Sequence, residues 1–288
     1  MSQGKRETGM GSGYSGAECN SGSGRRLLRN MSFFICGQKW RVGIGLLLAL
    51  QWCVPALEAG GQSAAAQGKP VLVELFTSEG CSDCPPADAL LEALDKTQPF
   101  AGMHAIVLSE HVTYWDRLGW RDPFSLEEMT ERQREYSTQF GLQDVYTPQM
   151  VVDGTSEFVG SAQRALATAM QGAIARPKQE LAIENARWEN GAAGFSVRGV
   201  ASPGERLTAV LAADATHSEV MRGENAGRTL HHVAVVRAIK SFDGNAMDGR
   251  GLKLGAKNLP DGPVRLVVFV VDGRTRYVVG AAERTLAR

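Results

Sequence analysis

The pattern of apolar and polar positions divides the chain at about residue 177. Val71–Phe76 is apolar apart from Glu74, which predicts a strand covered on both faces. After Pro86, the residues Ala87, Leu90, Leu91 and Leu94 recur at helical spacing, and Pro85 or Pro86 suits a first helical turn. Met103–Ser109 predicts a second strand, completing a right-handed β-α-β unit. Ser125-Leu126-Glu127-Glu128 has the spacing of a capping box; Leu126, Met129, Tyr136 and Phe140 then face inward, and Gly141 is placed to end that helix. Tyr146–Gly154 predicts a strand and turn, Glu157–Val159 its hairpin partner, and Ser161 the cap of an alanine-rich helix running to about Arg176. From Pro177 the texture becomes short alternating segments, Glu180–Arg187, Gly194–Val200, Glu205–Asp214, Thr229–Phe242, Val264–Asp272 and Arg274–Gly280. The expected organisation is therefore an α/β domain at 69–176, in the order β-α-β-α-β-β-α, followed by a β-rich, sandwich-like domain at 177–288.

Upstream of these elements the first 30 residues are rich in Gly and Ser and lack an apolar period, so they cannot bury a core. Lys39 and Arg41 then precede the apolar run Val42–Leu50 and the small residues of Pro55–Ala59 and Ala64–Ala66, the layout of a secretory signal peptide cleaved near 59 or 66. The run is short of the roughly 20 residues needed to span a bilayer, so residues 1–59 are read as a leader and signal peptide, with no stable membrane anchor after cleavage. Met31 is the expected natural start, the alternative being Met1. The expected location is the periplasm or the exterior.

Export changes the cysteine arithmetic, because Cys19, Cys36 and Cys53 lie in the segment removed. Only Cys81 and Cys84 remain, a pair too close to serve as a general scaffold. Charge adds little. The chain has 31 basic and 31 acidic residues; residues 1–59 carry seven and three, leaving 24 and 28 and a net of −4. No basic stripe marks a nucleic-acid partner.

The chemistry centres on Thr77-Ser78-Glu79-Gly80-Cys81-Ser82-Asp83-Cys84-Pro85-Pro86, where a strand breaks, presents Cys-x-x-Cys and enters a helix. Two intervening residues let both sulfurs meet across one turn, as a disulfide or as two ligands of one metal. A strand, this pair and a helix point to a redox site. Cys81 is expected to be the exposed attacking thiol at the helix N-terminus, where the dipole favours a thiolate, and Cys84 the resolving thiol. A structural disulfide is the competing reading, but a two-residue loop stabilises weakly. Glu79 and Asp83 flank Cys81 with negative charge, which predicts a pair more reducing than strong periplasmic oxidants. Consecutive His231 and His232 would point to opposite faces of a strand and not share a metal.

The segment Glu74–Asp88 resembles the signature of a secreted bacterial family known only as domain-of-unknown-function family 1223, and His111–Trp120, Tyr146–Gly154 and Arg222–Arg228 fit the same pattern. Through the element order, Cys-x-x-Cys and Thr147-Pro148, the chain is also similar to thioredoxin, although the dipeptide is Ser82-Asp83 and no aromatic residue precedes Cys81. The resemblance implies a thioredoxin-like fold for 69–176. It implies a buried Glu74 relaying a proton to Cys84, and a cis Pro148 that with Thr147 binds substrate beside the pair. His111, Tyr114 and Trp115 would shape the groove at the same sheet edge.

These expectations assemble into an exported thiol–disulfide oxidoreductase acting on a thiol or disulfide protein substrate through a mixed disulfide at Cys81, with no cofactor and no metal. Two alternatives compete with it. One is a copper or zinc protein using Cys81, Cys84 and His111, although the mature part lacks the second cysteine pair or methionine cluster that soft metals favour. The other is a peptide-binding module with an inert disulfide.

Overall fold

In the computed structural model, the described residues are Gly68–Arg288, all within one compact unit. The leader, signal-peptide and start-site expectations fall outside them. The chain runs through β1 (Lys69–Thr77), α1 (Pro85–Thr97), β2 (Met103–His111), α2 (Glu127–Phe140), β3 (Gln149–Val152), β4 (Ser156–Val159) and α3 (Gln163–Ile174). It continues as β5 (Ala182–Glu189), β6 (Ala192–Arg198), β7 (Arg206–Glu219), β8 (Thr229–Asp243), β9 (Asp248–Gly255), β10 (Val264–Val271) and β11 (Val278–Leu286). Among the described residues no helix is long and apolar enough to cross a membrane.

Strand pairing overturns the fold class read from the sequence. Eight strands form one mixed sheet in the order β11-β10-β7-β8-β2-β1-β3-β4. The joint is a parallel pairing of β2 with β8, at Ser109 and Val235, so strands from both sides of residue 177 share one sheet. Neither a thioredoxin-like α/β domain nor a following β-sandwich is built; three helices decorate one large sheet. The second sheet is small, β5-β6-β9, and lies on the β7–β10 part of the large one through Phe195, Val197, Leu207, Leu211, Leu266 and Val268. The reason is burial: β7, β8 and β10 have long apolar runs on both faces, which one helix-free sandwich layer cannot cover.

The large sheet curls until β11 packs against β1, and the Val278 amide donates to the Asp153 carbonyl at 3.0 Å. α2 and β10 cover the face of β1 that carries Glu74 and Phe76, whereas α1 and α3 cover the face that carries Val73 and Leu75. Gly160 sits where the second face closes most tightly: a Cβ there would lie 2.7 Å from Leu75 Cδ1, 3.0 Å from Ala87 and 3.1 Å from Pro148. Local signals met mixed outcomes. Gly141 ends α2 in the left-handed region, as its placement predicts. The capping box does not form, because the Ser125 hydroxyl donates to Asp116 and the helix starts at Leu126 without a side-chain cap. β9, with three glycines in its sequence, carries no strand signature and is held by pairing to β6.

Candidate functional site

The β1 strand ends at Thr77, and the next seven residues make a turn that delivers the cysteines to α1. Cys81 and Cys84 form a disulfide with Cα atoms 5.4 Å apart, and Cys84 occupies the N-cap position ahead of Pro85 and Pro86. Both cysteines are buried, Cys81 at 1% exposure, whereas Ser82 and Asp83 are exposed. The expected exposed attacking thiol is thus covered in this state, for two reasons visible around it.

One cover is Trp115, whose Cβ would lie 3.2 Å from a side chain at Gly80. The other is the tip of the β7–β8 hairpin. Asn225, fully buried, donates its side-chain amide to the carbonyl oxygens of Glu79 and Cys81 at 2.9 and 2.8 Å. Glu224 accepts the Ser82 amide at 3.1 Å. The Arg222–Arg228 segment is therefore the lid of the cysteine turn.

Beneath the turn lies a buried ionisable cluster. Glu79 has no exposure and receives Trp120 Nε1 at 2.8 Å and the Ser218 hydroxyl. His232 Nε2 lies 3.2 Å from Glu79 Oε1, and its Nδ1 lies 3.8 Å from Asp88 Oδ1, an ion-pair distance rather than a hydrogen bond. Burial works against a charge on this ring, but the Asp88 and Glu79 carboxylates outweigh it and hold the His232 pKa at about 10. Glu79 therefore does not oppose a Cys81 thiolate as an unpaired anion, as the sequence suggested; its charge is met by an imidazolium. Asp83 remains an exposed anion.

His111 extends the cluster. Its Nδ1 lies 2.7 Å from Asp122 Oδ2, and its ring meets His232 edge to face with centroids 4.6 Å apart. Burial pushes the Asp122 pKa up, but His111 and the Glu79 and Phe124 amides prevail and lower it. With Nδ1 committed to Asp122, His111 Nε2 stands buried without a hydrogen-bond partner among the described residues. Together these groups can store, pass and accept protons without exposing them to water.

The remaining expected residues divide. Trp115 and Thr147 come to the cysteine turn together, joined by an indole N–H donated to Thr147 Oγ1 at 2.7 Å. The Thr147-Pro148 peptide is cis, and Pro148 and Ala87, three residues past Cys84, crowd the same glycine. Tyr114 packs in the same cluster as Trp115 and donates to Gln133 at 3.1 Å, and burial pushes its hydroxyl pKa up to about 12. Glu74 is buried, as expected of a relay, but on the sheet face away from α1. There Arg132 grips it through Nε at 2.7 Å and Tyr136 donates to it at 2.6 Å. Glu110 lies 3.5 Å from the same guanidinium, and burial and the charge of Glu74 push its pKa up.

Sequence reasoning missed His232, Asp88, Asp122 and Asn225 as site members and misjudged Glu79. The alternation of His231 and His232 was the available signal: His231 stands outward beside His217, which leaves His232 facing in. Among the described residues no group of three His, Cys, Asp or Glu side chains is arranged to hold a metal ion.

No curated protein matches the chain. An X-ray crystal structure of a protein from Agrobacterium tumefaciens is similar in fold, with a TM-score of 0.55 and 24% identity over 76% of this chain and 95% of that one. A Bacteroides uniformis beta-glucuronidase 2 aligns over 38% of this chain and 13% of its own at 10% identity, with a TM-score of 0.16 that bears no weight. The model of a family described as a protein of unknown function, DUF1223, matches residues 72–271. The chain belongs to that family.

Proposed function

We propose that this chain is an exported thiol–disulfide oxidoreductase whose working group is the Cys81–Cys84 pair. The observation that carries the reading is an oxidised Cys-x-x-Cys opening α1 directly above the buried Glu79–His232–Asp88 cluster. A disulfide closing so short a loop adds little stability, whereas a helix N-terminus and a nearby proton store suit exchange chemistry. The leader pattern of residues 31–66 supports work in a compartment where disulfides persist.

A dithiol substrate supplies the electrons. Its thiolate attacks the Cys81 sulfur, the Cys81–Cys84 bond breaks, and Cys84 leaves as a thiolate. The substrate's second thiolate then attacks the mixed disulfide, so that Cys81 leaves in turn and the substrate ends oxidised. Two electrons and two protons pass to the pair, and the same steps run backwards against a disulfide substrate.

The test is equilibration in glutathione buffers of a chain whose Cys19, Cys36 and Cys53 are serine, followed by thiol titration. A reversible two-electron transition of Cys81 and Cys84 is expected. A pair locked in one state, or exchanging no faster than an unactivated thiol, refutes the function.

A further inference from the structure

Beside the covered disulfide lies an open groove of about 600 Å³, walled by the Asp116–Arg121 loop on one side and Met221–Arg222 of the hairpin tip on the other. Trp120 also lines it, and its indole N–H is bonded to Glu79, two residues before Cys81. The loops are pressed together at their base: a Cβ at Gly223 would lie 3.1 Å from Trp120 Cβ.

Three exposed arginines, Arg117, Arg121 and Arg222, line it. Arg132 and Arg265, by contrast, are matched with the carboxylates of Glu74 and Asp95. These three have no carboxylate partner among the described residues. The one acidic side chain of the lining, Asp116, is tied back into its own loop by the Ser125 hydroxyl at 2.8 Å and the Asp122 amide at 3.2 Å. Leu118 and Met221, 57% and 73% exposed, flank the same groove and are two of the four large hydrophobics that stand out among the described residues. Unmatched positive charge beside apolar side chains fits a polypeptide that is acidic and apolar in turn.

We infer that this groove docks an extended segment of the substrate protein, in which acidic residues and an apolar side chain lie next to the reacting cysteine. The inference rests on the thiol-exchange function and names its substrate class. A compact anion would call for donors converging in a buried cradle. Here the arginines are exposed, and the exposed side chains of Leu118 and Met221 belong to the same two loops. The segment would lie against both loops that close over the disulfide, so docking bears directly on the residues that cover Cys81.

Binding and chemistry are tested apart. A fluorescent peptide with Asp and Leu residues around a serine in the cysteine's place reports docking by anisotropy on the full oxidised chain. The inference expects saturable binding, weakened by salt, that falls tenfold or more in R117E/R222E, the size of change electrostatic steering of this kind produces. A Lys-for-Asp version of the peptide should bind at least tenfold more weakly to the native chain and regain affinity for the reversed variant. No binding of the acidic peptide, equal binding of the two peptides, or an unmoved variant overturns the inference. Displacement of the peptide by glutathione at equal concentration also overturns it, in favour of a small anionic thiol. Exchange of the reduced pair of the native chain with uncharged hydroxyethyl disulfide reads the redox function alone, so its failure is told apart from a failure to dock.

Discussion

Asn225 holds the cysteine turn from a hairpin 144 residues further along the chain, donating to the Cys81 carbonyl at 2.8 Å. The same amide group satisfies the Glu79 carbonyl. Asn225→Asp keeps the shape and removes both donors, leaving two buried carbonyls facing a carboxylate. Unmet buried groups of this kind cost about 1–3 kcal/mol each. The expected result is a lower melting temperature together with several-fold faster reduction of Cys81–Cys84 by dithiothreitol, read by thiol titration. Unchanged reduction kinetics would show that the hairpin does not limit access.

His232 should imprint a pH dependence on stability. Its folded pKa of about 10 lies above the unfolded value near 6.5, so its contribution is complete below about pH 6.5 and is lost as pH rises through about 10. Thermal melts from pH 6 to 10 should therefore show falling stability, and His232→Gln should flatten that slope while lowering stability at neutral pH. The groups facing the ring are Glu79, Asp88 and His111, all retained in the variant, so the difference between the two curves isolates His232. Parallel curves would place the proton elsewhere.

Glu74 and Glu79 should separate cleanly in their effects. Glu74→Gln removes the carboxylate bonded to Arg132 and leaves it Glu110, 3.5 Å away, so the loss should stay below the about 3–5 kcal/mol of a buried pair broken outright. It should leave the midpoint potential of the cysteine pair in place, because the cluster lies across the sheet. Glu79→Gln should move that potential or its pH dependence, since it removes one of the two carboxylates of His232. A potential that shifts in the Glu74 variant and not in the Glu79 variant would reverse these assignments.

Packing under α1 offers a test of the fold itself. Gly160→Ala forces a methyl to within 2.7 Å of Leu75 Cδ1, and overpacking of this sort costs about 1–3 kcal/mol. Leu75→Val in the same chain shortens the obstructing side chain and should recover part of the loss, a coupling visible in a double-mutant cycle of denaturation midpoints.

What the sequence discloses here is local, and what it conceals is pairing. The strand before Cys81, the helix after Cys84 and the end of α2 at Gly141 are legible because turn chemistry and helical period act over a few residues. The pairing of Ser109 with Val235 is not, and on it depends the difference between two domains and one sheet. The same distance hides the site. Glu79 looks like an unpaired anion until His232, 153 residues away, is folded against it. Even a local signal can lose to a distant one: Ser125 has the spacing to cap α2, but Asp116 takes its hydroxyl.

The hairpin that covers the cysteines has a consequence for how the molecule is made. Glu224 and Asn225 lie 142 and 144 residues after the groups they hold, so the pair is bare in any chain whose hairpin has not yet formed. Closure requires the β7–β8 hairpin, which joins the sheet through β2. The open chain and the finished one therefore present the same two sulfurs to different company, the first to any partner within reach and the second only to what can part the hairpin from the turn.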